Sequence, residues 1–220
     1  MVFELTCGNV CERNSGSGRW ADLSGNGNHG TVNGSSNRLS YPPGPDSGRD
    51  AQGFPVDVKS FEFDGVHNYT NIGDLGTKTN WTVSVWWYKH NRDENNIFYM
   101  GEAAGFSVWS ANIMALYVYK SSSYTHTSTT YTWDTNRWYF LTINHDGSSN
   151  TVKTYMNGSL IDTDSIDDHA YHEDFTAVKV GDGGYGKWDG KIGNFMIYDR
   201  VLSLTEILHN FNVQRDRFGV

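Results

Sequence analysis

Trp81-Thr82-Val83-Ser84-Val85-Trp86-Trp87-Tyr88 is the stretch that decides the fold. Successive side chains of a strand point to opposite faces. Trp81, Val83, Val85 and Trp87 therefore share one face, while Thr82, Ser84, Trp86 and Tyr88 share the other. The first set reads as core and the second as a polar-aromatic face. Residues 113–120 and 137–145 repeat the pattern: Leu116 and Val118 oppose Tyr117 and Tyr119, and Tyr139, Leu141 and Ile143 oppose Trp138, Phe140 and Thr142. Both sets hold large rings, so both faces of these strands are expected to be covered.

Working outward, alternating segments recur from Phe61 to Tyr198 between turns of Gly, Asn, Asp and Ser, and helical periodicity is nearly absent. That spacing predicts a β-sandwich. Residues 60–64 open the series. Residues 151–156 and 159–162 flank Asn157-Gly158, the pair that supplies the two positive φ angles of a type I′ hairpin. Val178-Lys179-Val180-Gly181 predicts a short strand, residues 182–190 a Gly-rich loop, and residues 191–198 the last strand. Ser203-Leu204-Thr205-Glu206 is a capping box, and Leu204, Ile207, Leu208 and Phe211 give the helix it starts an apolar face. Residues 34–55, with all four Pro at 42, 43, 45 and 55, read as an irregular excursion across the surface. No second hydrophobic series lies on either side, so residues 1–220 read as one all-β domain.

Composition agrees. Of 220 residues, 15% are aromatic and 37% hydrophobic, and Gly (24) outnumbers Pro (4), the balance of a turn-rich β protein rather than a disordered one. The formal net charge is −8, and no Lys/Arg stripe could track a phosphate backbone, so nucleic acid is not an expected partner. Residues 1–6 lack the basic and apolar regions of a standard export signal, and no run of eighteen apolar residues occurs. The expectation is a chain that is neither exported by a standard signal nor membrane-spanning. Cys7 and Cys11 are too few for an all-Cys zinc site and do not form a CxxC motif. Free thiols fit a reducing compartment, with a local disulfide as the alternative.

Asp22-Leu23-Ser24-Gly25-Asn26-Gly27-Asn28-His29-Gly30 reads as a built turn. Gly and Asn reach left-handed backbone conformations cheaply, and Asp22 and Ser24 can accept from amides two or three residues on. With Trp20-Ala21 before it and Thr31 after it, this stretch is one of five pieces that occur in a recognisable order. The others are Phe61-Glu62-Phe63-Asp64-Gly65, residues 82–86, residues 155–160, and residues 190–203 from Gly190-Lys191-Ile192 to Ile197-Tyr198-Asp199-Arg200-Val201-Leu202-Ser203.

Over essentially its whole length the chain thereby resembles the laminin-G-like, concanavalin A-like lectin/glucanase superfamily. That likeness implies a jelly-roll sandwich of two antiparallel sheets of about six or seven strands, one of them concave, with a short C-terminal helix. The ending Tyr198-Asp199-Arg200-Val201-Leu202-Ser203, Glu206-Ile207, Asn210-Phe211-Asn212 and Arg217-Phe218-Gly219 is similar to that of such domains in tailed-bacteriophage virion proteins. The resemblance implies a non-catalytic decoration module on the virion surface, held by other virion proteins and by self-association, and meeting glycans with another surface. A lectin whose glycan site is its main purpose is the alternative, and a glycoside hydrolase the lesser one.

Glycoside hydrolysis needs two carboxylates flanking the scissile bond. The glucanase branch carries them as Glu-x-Asp-x-x-Glu, whereas Glu62-Phe63-Asp64-Gly65-Val66-His67 lacks the third acid, so no catalytic residue is expected. Glycan binding needs an aromatic platform among hydrogen-bonding groups. Trp86, Tyr88, Tyr117 and Tyr119 are the candidates on the non-core face, with Tyr185 and Trp188 as a rim. Many relatives carry one structural calcium, for which Asp22 and Asp64 are the candidate ligands. His169 and His172, within the acidic run 167–174, read as part of a solvated loop.

Overall fold

The computed structural model describes residues 3–5, 13–14, 17–20, 22, 24–34, 38–40, 60–91, 95–101, 104–109, 113–119, 124–165, 174–183 and 186–220. In chain order the elements are β1 (Phe3–Leu5), β2 (Arg13–Asn14), β3 (Ser17–Trp20), β4 (Gly30–Asn33), β5 (Arg38–Ser40), β6 (Ser60–Asp64), β7 (Tyr69–Gly73), β8 (Asn80–Lys89) and β9 (Asn95–Met100). There follow β10 (Ala104–Trp109), β11 (Ile113–Tyr119), β12 (Tyr124–Thr130), β13 (Trp138–Asp146), β14 (Thr151–Met156), β15 (Ser159–Ser165), β16 (Val178–Val180), β17 (Asp189–Tyr198), α1 (Leu204–Asn212) and α2 (Arg215–Phe218).

These strands form two antiparallel sheets. One has eight strands in the order β15-β14-β13-β8-β17-β6-β5, with β1 also paired to β17; the other has nine, β12-β11-β10-β9-β16-β7-β4-β3-β2. Both exceed the expected six or seven because short edge strands such as β2 and β5 join them. Strand β5 also falls inside the stretch read as an excursion; the rest of residues 41–59 and both cysteines lie outside the described residues.

The alternation in β8 does what its residue types require. Trp81, Val83, Val85 and Trp87 lie in the main core, where they meet Phe98, Phe106, Leu116, Val178 and Val180 of the other sheet. Phe98 and Phe195 touch across the sandwich with ring centroids 5.7 Å apart. The other side of β8 is buried too, in a separate cluster. Trp86, Phe140, Tyr155, Met196 and Tyr198 pack there against Leu202, Ile207, Phe211 and Phe218. Between these rings Thr82 and Ser84 are fully buried and satisfied: Thr82 Oγ1 donates to Asn144 Oδ1 at 2.6 Å, and Ser84 pairs with Thr142 at 3.0 Å.

The local rules explain the ends of the elements. Asn157 (φ 51°) and Gly158 (φ 78°) close the β14–β15 hairpin, and the Asn157 side chain accepts from the Phe140 amide at 2.9 Å. Ser203 and Glu206 form the full capping box of α1. The expected apolar face of α1 is corrected in part. Ile207 and Phe211 are buried, whereas Leu204 and Leu208 remain 52% and 38% exposed. The second helix, α2, ends at Gly219 in the left-handed conformation and brings Phe218 onto Trp86.

Candidate functional site

The aromatic residues singled out in the sequence do not form one platform. Trp86 and Tyr88 belong to β8 of the eight-stranded sheet, Tyr117 and Tyr119 to β11 of the nine-stranded one. Trp86 is completely buried: its ring stacks on Phe218 at 4.2 Å, lies 5.0 Å from Phe140 and 5.8 Å from Phe211, and its indole N–H donates to Gln214 Oε1 at 3.0 Å. Alternation put it on the non-core face correctly, but α1 and α2 lie over that face. Trp188 is not a rim residue either. The amide of Trp188 donates to the carbonyl of Gly181 at 3.0 Å, closing the Gly-rich loop, and its ring drops into the core, edge-on to Trp87 at 5.9 Å.

Tyr88 is half-buried near the C-terminal end of β8, a central strand of the eight-stranded sheet. It leans on Trp138 (5.4 Å) and His90 (5.5 Å), lies beneath the Lys191 ammonium (5.3 Å), and donates to Asn136 Oδ1 at 3.3 Å. Tyr117 points out from the nine-stranded sheet but is only 2% exposed, with Trp109 at 5.8 Å. The side chain of Tyr119 and the whole of Tyr185 lie outside the described residues.

The outer face of the nine-stranded sheet is built differently. In β7 the buried Thr70 separates Tyr69 and Asn71; in β16 the buried Val178 and Val180 flank Lys179; in β9 the buried Phe98 and Met100 flank Tyr99. Each outward residue follows from the period of two. The register then sets Thr31, Asn71, Lys179, Tyr99, Gly105 and Tyr117 side by side across β4, β7, β16, β9, β10 and β11. At ordinary strand spacing this row is about 24 Å long. Gly105 leaves room within it: a Cβ there would lie 3.6 Å from Tyr99 Cδ2, in ordinary contact with that ring. Thr31 and Asn71 are exposed, and Tyr69, Lys179 and Tyr99 partly so.

A loop borders this face beside Tyr69. Gly181 donates to the Ile97 carbonyl at 2.8 Å, and the Asn96 amide donates to the Gly186 carbonyl at 3.3 Å. A side chain at Gly181 would strike the Phe63 ring at 2.5 Å, and one at Gly183 would meet Asn96 Nδ2 at 2.6 Å, so both must be glycine for the loop to lie this close. The loop carries Lys187, whose ammonium sits 4.4 Å from the Tyr69 ring centroid and 3.0 Å from Asp182 Oδ2. Lys179 approaches the same ring at 5.5 Å. Sequence reading missed Tyr69, Tyr99, Lys179 and Lys187; the one signal for Lys179 is its place between two valines.

The acidic candidates are engaged in turns. Asp22 accepts from the Ser24 amide, the Ser24 hydroxyl and the Asn28 amide, each at 2.9 Å, which makes it the cap of its own loop. Asp64 accepts from the amides of His67 (2.7 Å), Val66 (3.0 Å) and Asn68 (3.1 Å). Burial pushes the Asp64 carboxyl up, but these amides together outweigh it and hold the group well below the usual carboxylate range. Among the described residues no group of three or more His, Cys, Asp or Glu gathers around either. Each carboxylate thus caps its own turn. Glu62 reaches His90 Nε2 at 3.8 Å, and Asp189 reaches His90 Nδ1 at 3.2 Å, on the other sheet from the open row.

No curated protein matches the chain in sequence. Solved structures do match in fold. The binding domain of botulinum neurotoxin serotype D is similar with a TM-score of 0.67 at 17% identity, over 97% of this chain and 51% of that one. The binding domain of botulinum neurotoxin DC in complex with SialylT gives 0.64 at 15% identity, over 96% and 50%. A botulinum neurotoxin type C structure, whose cell entry is described as dependent on two ganglioside molecules, gives 0.62 at 15%, over 96% and 50%. The chain spans about half the length of each. A family model, Laminin_G_3, matches residues 64–208, and with that match over most of its length this chain belongs to the concanavalin A-like lectin/glucanases superfamily.

Proposed function

We propose that this protein is a non-catalytic glycan-binding module whose binding surface is the open outer face of the nine-stranded sheet. The observation that carries the reading is the row of Asn71, Lys179 and Tyr99, with Tyr69 beside it, left accessible on one sheet while the rings of the opposite sheet are sealed. Partly exposed rings beside amide and hydroxyl side chains are what sugars need: apolar area under the pyranose and directional partners at its rim. Asp182, the acid of the rim loop among the described residues, is paired with Lys187, which argues against a hydrolytic role for it. The solved relatives seen with SialylT or tied to gangliosides support the choice of ligand class.

A broad glycan array, run with and without calcium, tests this. Saturable binding that falls at least tenfold in Tyr99→Ala, with the fold intact, is the expected result. Silence across the array under both conditions refutes it.

The second reading concerns where the module works. The ending from Tyr198 to Phe218, similar to that of tailed-phage virion domains, folds here into the cap over Trp86. We infer a module carried on a particle by other virion proteins and by self-association. Mass spectrometry of purified particles is expected to find it, and recovery solely as a free secreted protein would overturn this placement.

A further inference from the structure

We propose that the open face takes a negatively charged sugar, one bearing a carboxylate or a sulfate, and that Lys179 and Lys187 receive the charge. This rests on the open face being the glycan surface. Two ammonium groups converge on the single ring of Tyr69, at 4.4 Å and 5.5 Å. Asp182 neutralises Lys187, whereas Lys179 has no carboxylate partner among the described residues. Among the described residues, then, Lys179 is a cation with no carboxylate beside it, on a chain whose formal net charge is −8.

The surplus is held in place. Ammonium groups are attracted to the negative face of an aromatic ring, so Tyr69 restrains two side chains that would otherwise sample many rotamers. Lys179 has buried Val178 and Val180 on either side, and Lys187 springs from a loop anchored on Ile97 and Asn96. An anion arriving there meets donors whose ordering cost is already met in the free protein.

The neighbouring position completes the site. Tyr99 is the register partner of Lys179, and Asn71 its partner on the other side. Side chains so paired stand about 5 Å apart, so a pyranose on Tyr99 can present a carboxylate or sulfate to Lys179 while its hydroxyls meet Asn71. Lys is the residue for a point charge rather than a fixed bidentate fork, which suits either anion. A neutral sugar would offer the Lys179 ammonium no opposite charge.

The probes are uronate-bearing and sulfated oligosaccharides, each beside its carboxyl-reduced or desulfated counterpart, titrated against the wild type, Lys179→Gln and Lys187→Gln. Each anionic member is expected to bind about tenfold more tightly than its neutral counterpart. That preference should collapse in Lys179→Gln, with melting temperature nearly unchanged, and should shrink as salt rises from about 0.1 M to about 1 M. Preference for the uronate or for the sulfate series identifies which anion the site takes, and either outcome supports the inference. Equal binding of charged and neutral members, lost in Tyr99→Ala, overturns the charge inference while the glycan reading stands. Anionic preference that survives in the Lys179→Gln/Lys187→Gln double variant also overturns it, and absence of binding to every member defeats both.

Discussion

The two sheets carry the same kind of pattern on their outer faces and end in opposite states. On the eight-stranded sheet Trp86, Phe140, Tyr155 and Met196 point away from the sandwich core and are covered by Leu202, Ile207, Phe211 and Phe218. On the nine-stranded sheet Tyr69, Asn71, Lys179 and Tyr99 point outward and keep access to solvent. An aromatic face is therefore not a site by virtue of its rings. What separates the two among the described residues is the segment after β17, which packs over Trp86 and Phe140 and not over Tyr69, Asn71, Lys179 or Tyr99. Residue type follows the difference in part: Trp86, Phe140 and Met196, with Tyr155 and Tyr198, lie where the helices press down, and lysine and asparagine stand beside the tyrosines where water can reach.

The comparison is broken most forcefully at Trp86. Replacing it with Ala removes the ring stacked at 4.2 Å on Phe218 and should cost about 3–5 kcal/mol, read by urea denaturation. A cost near zero would mean that the covered face is not a second core. Gly193→Ala tests the same contact from the sheet side. Its Cβ would fall 2.7 Å from the Phe218 ring and 3.0 Å from Trp86 Cβ, so a loss of roughly 1–3 kcal/mol is expected.

Ser203→Ala removes the hydroxyl that caps α1 and should cost about 1 kcal/mol in the same assay. The acid dependence of this cap has a definite sign. Arg200, followed by the Ser203 amide and hydroxyl, pulls the Glu206 carboxyl down from 4.5 to about 2. A carboxyl lowered on folding contributes stability that is complete above its unfolded value and lost as the pH falls through its folded one. Glu206→Gln should therefore flatten the stability profile between pH 4.5 and about 2 and leave its shape above that window unchanged. On the open face the expected cost is smallest: Lys179→Gln should move stability by no more than about 0.5 kcal/mol, because it removes a surface side chain and no core contact.

Much of the fold was legible because it obeys local rules. The alternation in β8, the Asn157-Gly158 turn and the Ser203–Glu206 box each declare themselves within a few residues, and each stands where its pattern placed it. Strands β9 and β10 were less readable, since a bulge shifts their register at Phe106/Ser107 and puts Asn96 rather than a large apolar residue opposite Ser107. Strand β12, Tyr-Thr-His-Thr-Ser-Thr-Thr, has almost no apolar residue to alternate.

The open site depended on information that no local pattern holds. Lys179 meets Tyr99 and Asn71 only because β16 inserts between β9 and β7, strands distant from it in the chain. Trp188 looked like a loop residue because glycines surround it, yet those glycines let the loop fold back and send the indole inward. Trp86 was assigned to the right face, and the cover over that face came from α2, a four-residue helix that packing on Trp86 and Trp138 rather than propensity explains.

The measurement that tests the central claim most directly is hydrogen–deuterium exchange with and without a saturating array-selected glycan, followed peptide by peptide. The account predicts slowed exchange in β7, β9, β16 and the rim loop after it, with α1 and α2 unchanged. Slowing confined to α1, α2 or the Tyr88 end of β8, or none anywhere, would contradict it.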